Sequence, residues 1–409
     1  MNLYIFRESG RSAIFGVGTY IREMVAALIA SDINITIVHL HSKKTTTDFV
    51  ELEGIQHLFL PAPIDQNRTV DRKKYNELYY KSVVYILRLK IIDKERLVFH
   101  FNFNKCAKLA EGLKNAFDCR IVTTVHVSDW SLVIYDNPPR LSSILNSDNP
   151  DDLDLSLRKS IKEEKNLYSI TDQVICLSNY MYEILIRNYN IDPSKITFIP
   201  NGISVPPSPL SPFLSLKEKW KLPVKEKIIL FVGRIDHAKG LLYLIKAFRN
   251  VLHVCPQSRL VIAGDGDISD FLKESRDICM KVTYTGLLDK TQLYELYSIA
   301  DVGVIPSLYE TFCYVAVEMM MHGLPIVATA TSGLNEVVDD TCGLKLPIMI
   351  MPDKVEIDTL LLSEKIIYLL QNPREAKRIR ENAHKRYERH YSLEVFRKNM
   401  LNFYNSLWD

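Results

Sequence analysis

The sequence predicts an α/β protein made of two doubly wound units, and three observations carry that prediction. A chain of 409 residues is too long for one ordinary core, so two domains of similar size are expected. Short apolar runs alternate with amphipathic stretches, the pattern of a parallel sheet covered by helices on both faces. That alternation stops in residues 201–220, NGISVPPSPLSPFLSLKEKW, which hold four prolines and read as an aperiodic interdomain linker, and then it starts again.

In the first half, NLYIF, residues 20–30 (YIREMVAALIA) and residues 33–40 (INITIVHL) form a strand, helix, strand unit. Further strands are predicted at 56–60, 97–101, 120–125 and 173–177, and helices at 72–92, 105–115, 157–169 and 179–188. In the second half strands are predicted at 227–232 (KIILFV), 259–263 (RLVIA) and 282–285, with helices at 241–253 and 292–299. Residues 301–306 (DVGVIP) and 324–328 (LPIVA) read as two more buried strands flanking a helix at 315–322, with Gly323 and Pro325 as stop signals. From Glu375 onward the chain reads as charged helix anchored by Tyr387, Tyr391, Phe396 and Leu401. The expected division is 1–203 as an N-terminal domain and 204–390 as a C-terminal domain, with a helix in 391–409 crossing back to the first.

Composition narrows the function classes. Hydrophobic residues at 47% and charged residues at 24% describe a globular protein, and a net charge of +2 gives no support for nucleic-acid binding. Seven scattered cysteines (106, 119, 176, 255, 279, 313, 342) contain no CxxC pair and no zinc spacing, so reduced thiols and a cytoplasmic setting are expected. The opening MNLYIF reads directly as a strand, without the pattern of a signal peptide, and no apolar run approaches a membrane span.

The stretch 307–329, SLYETFCYVAVEMMMHGLPIVAT, concentrates the chemistry. A strand running into a helix start presents free backbone N–H groups and the positive end of the dipole, a seat for phosphate. Glu310 precedes that start and Glu318 lies one turn down, where it can reach a sugar hydroxyl. Upstream, GRIDHAKG (233–240) follows a strand and precedes a helix, so Arg234 and Lys239 can converge on one diphosphate. A turn with two solvated cations is the plain alternative, and GxxxxGK[ST] is absent.

GRIDHAKG, AGDGD (263–267), TGLLD (285–289) and ADVGVIPSLYETFCYVAVEMMMHGLPIVAT together resemble the donor-binding domain of the GT-B retaining glycosyltransferases of family GT4. In the first half Gly16-Val-Gly18 opening a helix, His126 ending IVTTVH, CLSNYMYEIL (176–185) and ITFIPNGI (196–203) continue the likeness over nearly the whole chain. The resemblance implies a GT-B fold, two Rossmann-like doubly wound domains facing a central cleft. It implies that Arg234 and Lys239 hold the diphosphate of a nucleotide-sugar, a UDP-sugar being favoured over a GDP-sugar. Glu310 would contact the transferred sugar and Glu318 the ribose hydroxyls. The backbone of Phe312, Cys313, Tyr314 and Val315 would cradle the phosphates, and Gly16 and Gly18 would approach them from the first domain. Gly264 and Leu288 belong to the same donor site, and His126 would touch the donor sugar, a satisfied core histidine being its alternative. The catalytic set is therefore Glu310, His126, Lys239 and Arg234. With two cations and a helix start aimed at the leaving group, no metal and no cofactor are required.

Family members usually carry glycine where this chain has Cys313. Glycine there serves either a positive φ, which would strain cysteine, or close approach to phosphate, which a compact thiol tolerates. The second is the favoured reading, with Cys313 bordering the phosphates and activity sensitive to alkylation. Two D-x-D patterns, Asp265-Gly266-Asp267 and Asp152-Leu153-Asp154, are the only metal-like spacings considered, and neither is expected to hold one. Residues 68–94 carry eight Lys/Arg against three acids, with tyrosines between them. An amphipathic helix with a solvated basic face is the favoured reading, and peripheral contact with a membrane's inner face the alternative. The acceptor is expected to be polysaccharide or lipid-linked sugar. A peptide is the alternative, because SGRSAIFGVGTYIREM resembles a branch of the family found near peptide-maturation genes in gut-type bacteria. An epimerase or hydrolase of the same shape, a non-catalytic partner subunit and a dinucleotide oxidoreductase are the rival classes, the last weakened by a missing third glycine after Gly16-x-Gly18.

Overall fold

A computed structural model describes residues 1–8, 16–62, 72–205 and 212–408. The chain divides into two compact units, one formed by 1–129, 147–202 and 393–409, the other by 130–146 and 203–392. The boundary at 202/203 is a single cut in the main chain. The second unit also takes residues 130–146, which the reading of a continuous first domain did not separate.

In the first unit eight strands follow the order β3-β4-β2-β1-β5-β6-β7-β8. They are β1 (Asn2–Glu8), β2 (Asn34–Ser42), β3 (Asp48–Leu52), β4 (Ile55–Pro61), β5 (Leu97–Phe101), β6 (Cys119–Val125), β7 (Gln173–Cys176) and β8 (Ile196–Phe198). All neighbours are parallel except β3, which returns antiparallel along β4 from Asp48↔Phe59 to Leu52↔Ile55. The central strands are buried throughout, as in β5, which is why they read as unbroken apolar runs. The edge strand β3 (DFVEL) is largely exposed and its apolar residues are interrupted by Glu51, so no apolar run announced it. The last helix, Leu393–Ser406, packs on Gly16–Leu28, and Tyr404 Oη lies 2.6 Å from Nδ1 of buried His100.

In the second unit six parallel strands follow the order β11-β10-β9-β12-β13-β14. They are β9 (Lys227–Val232), β10 (Ser258–Ala263), β11 (Val282–Gly286), β12 (Val302–Ile305), β13 (Ile326–Thr329) and β14 (Gly343–Leu346), followed by a hairpin of β15 (Ile348–Ile350) and β16 (Val355–Ile357). Leu241–Val254 lays Leu244, Phe248 and Val251 on this sheet, each fully buried and each worth about 1.5–3 kcal/mol. Residues 130–146 lie on the hairpin side: Asn137 Nδ2 donates to the Met351 carbonyl at 2.6 Å, and Ser332 Oγ to Asp136 Oδ2 at 3.0 Å.

The proline-rich stretch 201–220 is not an aperiodic linker throughout, because Phe213–Lys219 forms a helix once Pro212 has set its start. Residues 206–211 of that stretch lie outside the described residues, as do 9–15 of the SGRSAIFGVG segment and 68–71 of the basic segment. Asp152 and Asp154 fall in the first turn of Asp152–Ile170, capped by Asp151, whose carboxylate accepts from the Asp154 N–H at 2.8 Å. Negative charge there answers the helix dipole, which explains the D-x-D spacing without a metal.

Candidate functional site

Each residue of the second unit that the sequence predicts for the donor site follows the carboxyl end of a parallel strand, where open α/β sheets present ligands. After β9, Asp236 caps a short 3₁₀ turn (His237–Lys239), accepting from the Lys239 N–H at 3.1 Å, and Gly240 closes it with φ 67°. After β12 the chain turns through Ser307–Cys313 into the helix Tyr314–Met321. Two backbone contacts join these loops. Leu308 N–H donates to the Ala238 carbonyl at 2.8 Å, and Gly240 comes so close to Pro306 that a β-carbon there would stand 1.7 Å from the Pro306 carbonyl oxygen.

That stitching brings Lys239 against Glu310. The ammonium lies 2.6 Å from Glu310 Oε1, which also accepts from Ser307 Oγ at 2.9 Å. Burial works against the lysine's charge, but the charges of Glu310 and Cys313 and the Glu310 hydrogen bond outweigh it, so its pKa stands above the ordinary lysine value. Arg234, on the same loop, is half-exposed and 3.2 Å from Asp236. Gly264, after β10, would place a β-carbon 1.8 Å from the Gly233 carbonyl oxygen, so the AGDG and GRID backbones run in contact. Leu288 stands half-buried in the turn after β11.

Cys313 corrects the sequence reading. Its φ of 85° lies in the left-handed region, so the backbone geometry that favours glycine is present and the cysteine adopts it. The cost is of order 1–3 kcal/mol, of the kind structures retain at functional turns. The thiol is buried, and burial together with the Glu310 charge lifts its pKa well above the ordinary cysteine value despite the opposing Lys239. A protonated buried thiol reacts poorly with alkylating agents, so the expected alkylation sensitivity does not fit this environment; Cys279 is exposed instead. Beyond Cys313, Phe312 is buried against Tyr314 and Tyr391, and Tyr314 and Val315 open the helix half-buried.

Glu318 is only 2% exposed, and its carboxylate is already engaged: Oε1 takes the Lys290 ammonium and Oε2 accepts from the Tyr297 hydroxyl at 2.8 Å. Glu318 is therefore not a solvated carboxylate on the helix surface.

In the first unit His126 follows β6, half-buried, with its ring edge-to-face against Tyr20 at 4.7 Å. Asn102 Nδ2 donates to the Phe6 carbonyl at 3.4 Å, which turns its Oδ1 toward His126 Nε2 at 3.0 Å. Burial pushes the imidazole down to about 3, so it is neutral, with Nε2 donating to Asn102 and Nδ1 left as acceptor. The following loop hangs on Glu164, a fully buried carboxylate held by Tyr189, by Asn104 Nδ2 and by the Asp129 N–H, the last two at 3.1 Å. Glu164 lies on the apolar stripe of its helix with Leu157, Ile161 and Tyr168, which is the sequence signal that could have marked it. Gly16 is exposed and Gly18 half-buried in the first turn of Gly16–Leu28.

Among the described residues no cluster of three or more His, Cys, Asp or Glu side chains is arranged to hold a metal. Asp267 of the second D-x-D pattern instead accepts from the Ser269 N–H at 3.0 Å.

Residues 213–386 match the family described as Glycosyl transferases group 1, and residues 14–205 match Glycosyltransferase Family 4. The chain belongs to family GT4 and has the GT-B fold. An uncharacterised glycosyltransferase of Methanocaldococcus jannaschii is 38% identical to this GT4 chain over 178 residues, 41% of the chain and 44% of that protein. The UDP-Gal:alpha-D-GlcNAc-diphosphoundecaprenol alpha-1,3-galactosyltransferase of Escherichia coli is 33% identical over 174 residues, 40% and 44% of the two chains. The matches to these curated relatives span less than half of their length. The sucrose-phosphate synthase of Thermosynechococcus elongatus superposes with a TM-score of 0.79 at 22% identity, covering 100% of the GT4 chain and 99% of its own. Anabaena Alr3699/HepE in complex with UDP-glucose gives 0.74 at 15% identity, covering 99% and 100%.

Proposed function

We propose that this GT4 chain is a metal-independent, retaining glycosyltransferase that moves a sugar from a nucleoside-diphosphate sugar, a UDP-sugar in the first instance, to an acceptor hydroxyl. The observation that carries the reading is the Lys239–Glu310 pair, stitched between two family motifs beside Arg234 and the start of Tyr314–Met321. As the bond from the sugar to the leaving phosphate breaks, negative charge grows on the diphosphate, where Lys239, Arg234 and the helix start stabilise it. The ammonium spends one of its three donors on Glu310, leaving two for phosphate oxygens. Glu310, steadied by Ser307, faces the positive charge that develops on the sugar. In the same-face route proposed for the family, the acceptor oxygen bonds to the sugar carbon and its proton passes to the departing phosphate oxygen, so no protein base is needed. Neutral His126, offering Nδ1 as acceptor, suits a sugar hydroxyl. Gly16 and Gly18 are assigned to the phosphates and Gly264 and Leu288 to the nucleotide by the resemblance. Polysaccharide or lipid-linked sugar is the acceptor class favoured, with a peptide as the alternative.

Thermal shift against UDP-, GDP-, ADP- and TDP-sugars, followed by product analysis, tests the reading. Ligand at about 100 times its Kd stabilises by about 2.7 kcal/mol, so a UDP-sugar is expected to raise the melting temperature by several degrees. Turnover is expected to persist in excess chelator. Activity abolished by chelator and restored by magnesium would overturn metal independence, and free sugar as the sole product would indicate a hydrolase.

A second reading concerns where the protein works, and the helix Arg72–Lys90 favours it. Leu78, Tyr85 and Leu89 are each more than half exposed at helical spacing 0, 7 and 11, a single stripe, and Ile92 extends it. Exposed Lys74, Lys81, Arg88 and Lys90 lie beside it. An apolar stripe bordered by cations suits an anionic bilayer surface, at about 1 kcal/mol per cation, although no helix among the described residues is long and apolar enough to cross a membrane. The protein is expected to float with phosphatidylglycerol vesicles and not with phosphatidylcholine vesicles, and Leu89→Asp to sediment. Equal sedimentation with both vesicles would refute the contact.

A further inference from the structure

Glu318 is held in a way that the sugar-transfer reading leaves unexplained. A carboxylate only 2% exposed is costly unless it is paired, because burial favours its neutral form. Its partner is Lys290, 28 residues earlier in the chain, at the first position of the helix Lys290–Ile299. A cation in a helix's first turn opposes the dipole, and this helix already has a complete capping box from Asp289 and Gln292. Lys290 therefore gains nothing from the dipole of its own helix; its ammonium meets Glu318 Oε1 and stands 5.9 Å from the centroid of the Tyr294 ring. Tyr297, about two turns along the same face of that helix and buried, donates its hydroxyl to Oε2. Each carboxylate oxygen accepts about two hydrogen bonds, so one acceptor site remains on each, side by side.

We propose that Lys290 is a positioning residue of the donor site: with Tyr297 it fixes the orientation of the Glu318 carboxylate, which offers two adjacent acceptor sites to a vicinal diol. The ligand class is the ribose of a nucleotide, and the proposal rests on the nucleotide-sugar reading given above. Lys290 is not assigned contact with the phosphates or the transferred sugar. The titratable groups facing Glu318 are Lys290 and Tyr297 from one helix and the Cys313 thiol ahead of its own. Burial first, and the Glu318 charge second, hold Tyr297 well above the ordinary tyrosine value; burial and the Glu310 charge hold the Cys313 thiol high. His322, stacked on Tyr297, is pushed down to about 4 by burial. Tyr297, Cys313 and His322 therefore keep their charge between about pH 5.5 and 8, so a pH-dependent response to Lys290→Met reports on Glu318.

Two measurements on the full chain test this with wild type, Lys290→Met and Lys290→Arg. In the first, dissociation constants for UDP and for 2′,3′-dideoxy-UDP are measured at about pH 5.5 and about pH 8. Wild type is expected to prefer UDP by about 10-fold or more at both. In Lys290→Met the preference disappears at the lower pH and partly returns at the higher, dideoxy-UDP binding is unchanged, and Lys290→Arg restores the wild-type pattern. Equal weakening of both ligands in Lys290→Met would reduce Lys290 to a general attractive charge and overturn the proposal, as would an undiminished preference. The second measurement needs no ligand. A buried carboxyl without its cation binds a proton more tightly than the unfolded chain does, so stability falls as pH rises. The melting temperature of Lys290→Met relative to wild type is therefore expected to drop by about 3 °C or more between those pH values, and Glu318→Gln in the same chain to remove the drop. A pH-independent difference would overturn the proposal. Failure of wild type to bind UDP while this second result holds would count against the nucleotide reading and leave the pairing of Lys290 with Glu318 established.

Discussion

Replacing Lys239 by alanine is expected to lower kcat by about 10²–10³-fold while raising the donor KM by less than about 10-fold, the signature of an interaction that strengthens in the transition state. The asymmetry follows from the geometry. Glu310 fixes the ammonium at 2.6 Å, so it is preorganised for a diphosphate and gains most when that group takes up the leaving charge. Glu310→Gln is expected to show a similar loss in kcat for the complementary reason, because the amide cannot answer positive charge on the sugar. A stability measurement separates these effects from misfolding. Lys239→Ala leaves Glu310 nearly buried without its cation and is expected to cost about 3 kcal/mol, and Lys239→Ala with Glu310→Gln to recover a large part of that while staying inactive. Steady-state kinetics with urea unfolding of the three variants checks the set. Wild-type turnover in either single variant would remove the pair from the mechanism.

How far such a site can be read from sequence depends on the distance over which its parts are specified. The strands that carry it were legible because a parallel strand buried on both faces is a continuous apolar run: KIILFV and RLVIA match or fall within observed strands, and DVGVIP overshoots its strand by one residue at each end. Glu310, Lys239 and Glu318 were legible because each stands at a fixed offset from such a strand inside a family motif. What escaped was set by tertiary contact. The pairing of Lys290 with Glu318 joins two helices 28 residues apart, and in sequence the Asp289-Lys290 step looks only like a helix start. The left-handed backbone of Cys313 was weighed against close approach and rejected, because a compact thiol suits the latter; the surrounding turn, anchored by the buried Phe312 on one side and the helix on the other, imposes the former. Edge strand β3 and the segment 130–146 escaped for a common reason. Each is short: β3 has five residues, and the two helices of the other, Asp129–Val133 and Pro138–Asn146, have five and nine, so neither gives a long hydrophobic period although Trp130, Leu141 and Ile144 are buried.

The largest effect on the fold is expected where the two donor loops touch. Gly240 has φ 67°, and a β-carbon built on it would stand 1.7 Å from the Pro306 carbonyl oxygen, far inside any real contact, so Gly240→Ala must both enter the left-handed region and push the loops apart. The conformational part costs about 1–2 kcal/mol. Gly286 isolates that part, since it has φ 73° with nothing within 4 Å of its ideal β-carbon, so Gly286→Ala in the same unit is expected to lose about 1 kcal/mol. Gly240→Ala is expected to lose more than about 3 kcal/mol, the difference being the price of separating the backbones. Separation also acts on chemistry. Lys239 directly precedes Gly240, Ser307 directly follows Pro306, and the Leu308 to Ala238 hydrogen bond lies beside them, so parting the loops draws the ammonium away from Glu310. The fraction of Gly240→Ala that folds is therefore expected to lose turnover as well as stability, while Gly286→Ala keeps its Lys239–Glu310 contact. Urea unfolding and turnover measured on the two variants decide the matter. A Gly240→Ala protein as stable as Gly286→Ala, with unchanged kcat, would show that the loops relax cheaply and that something other than their stitching sets the lysine on its glutamate.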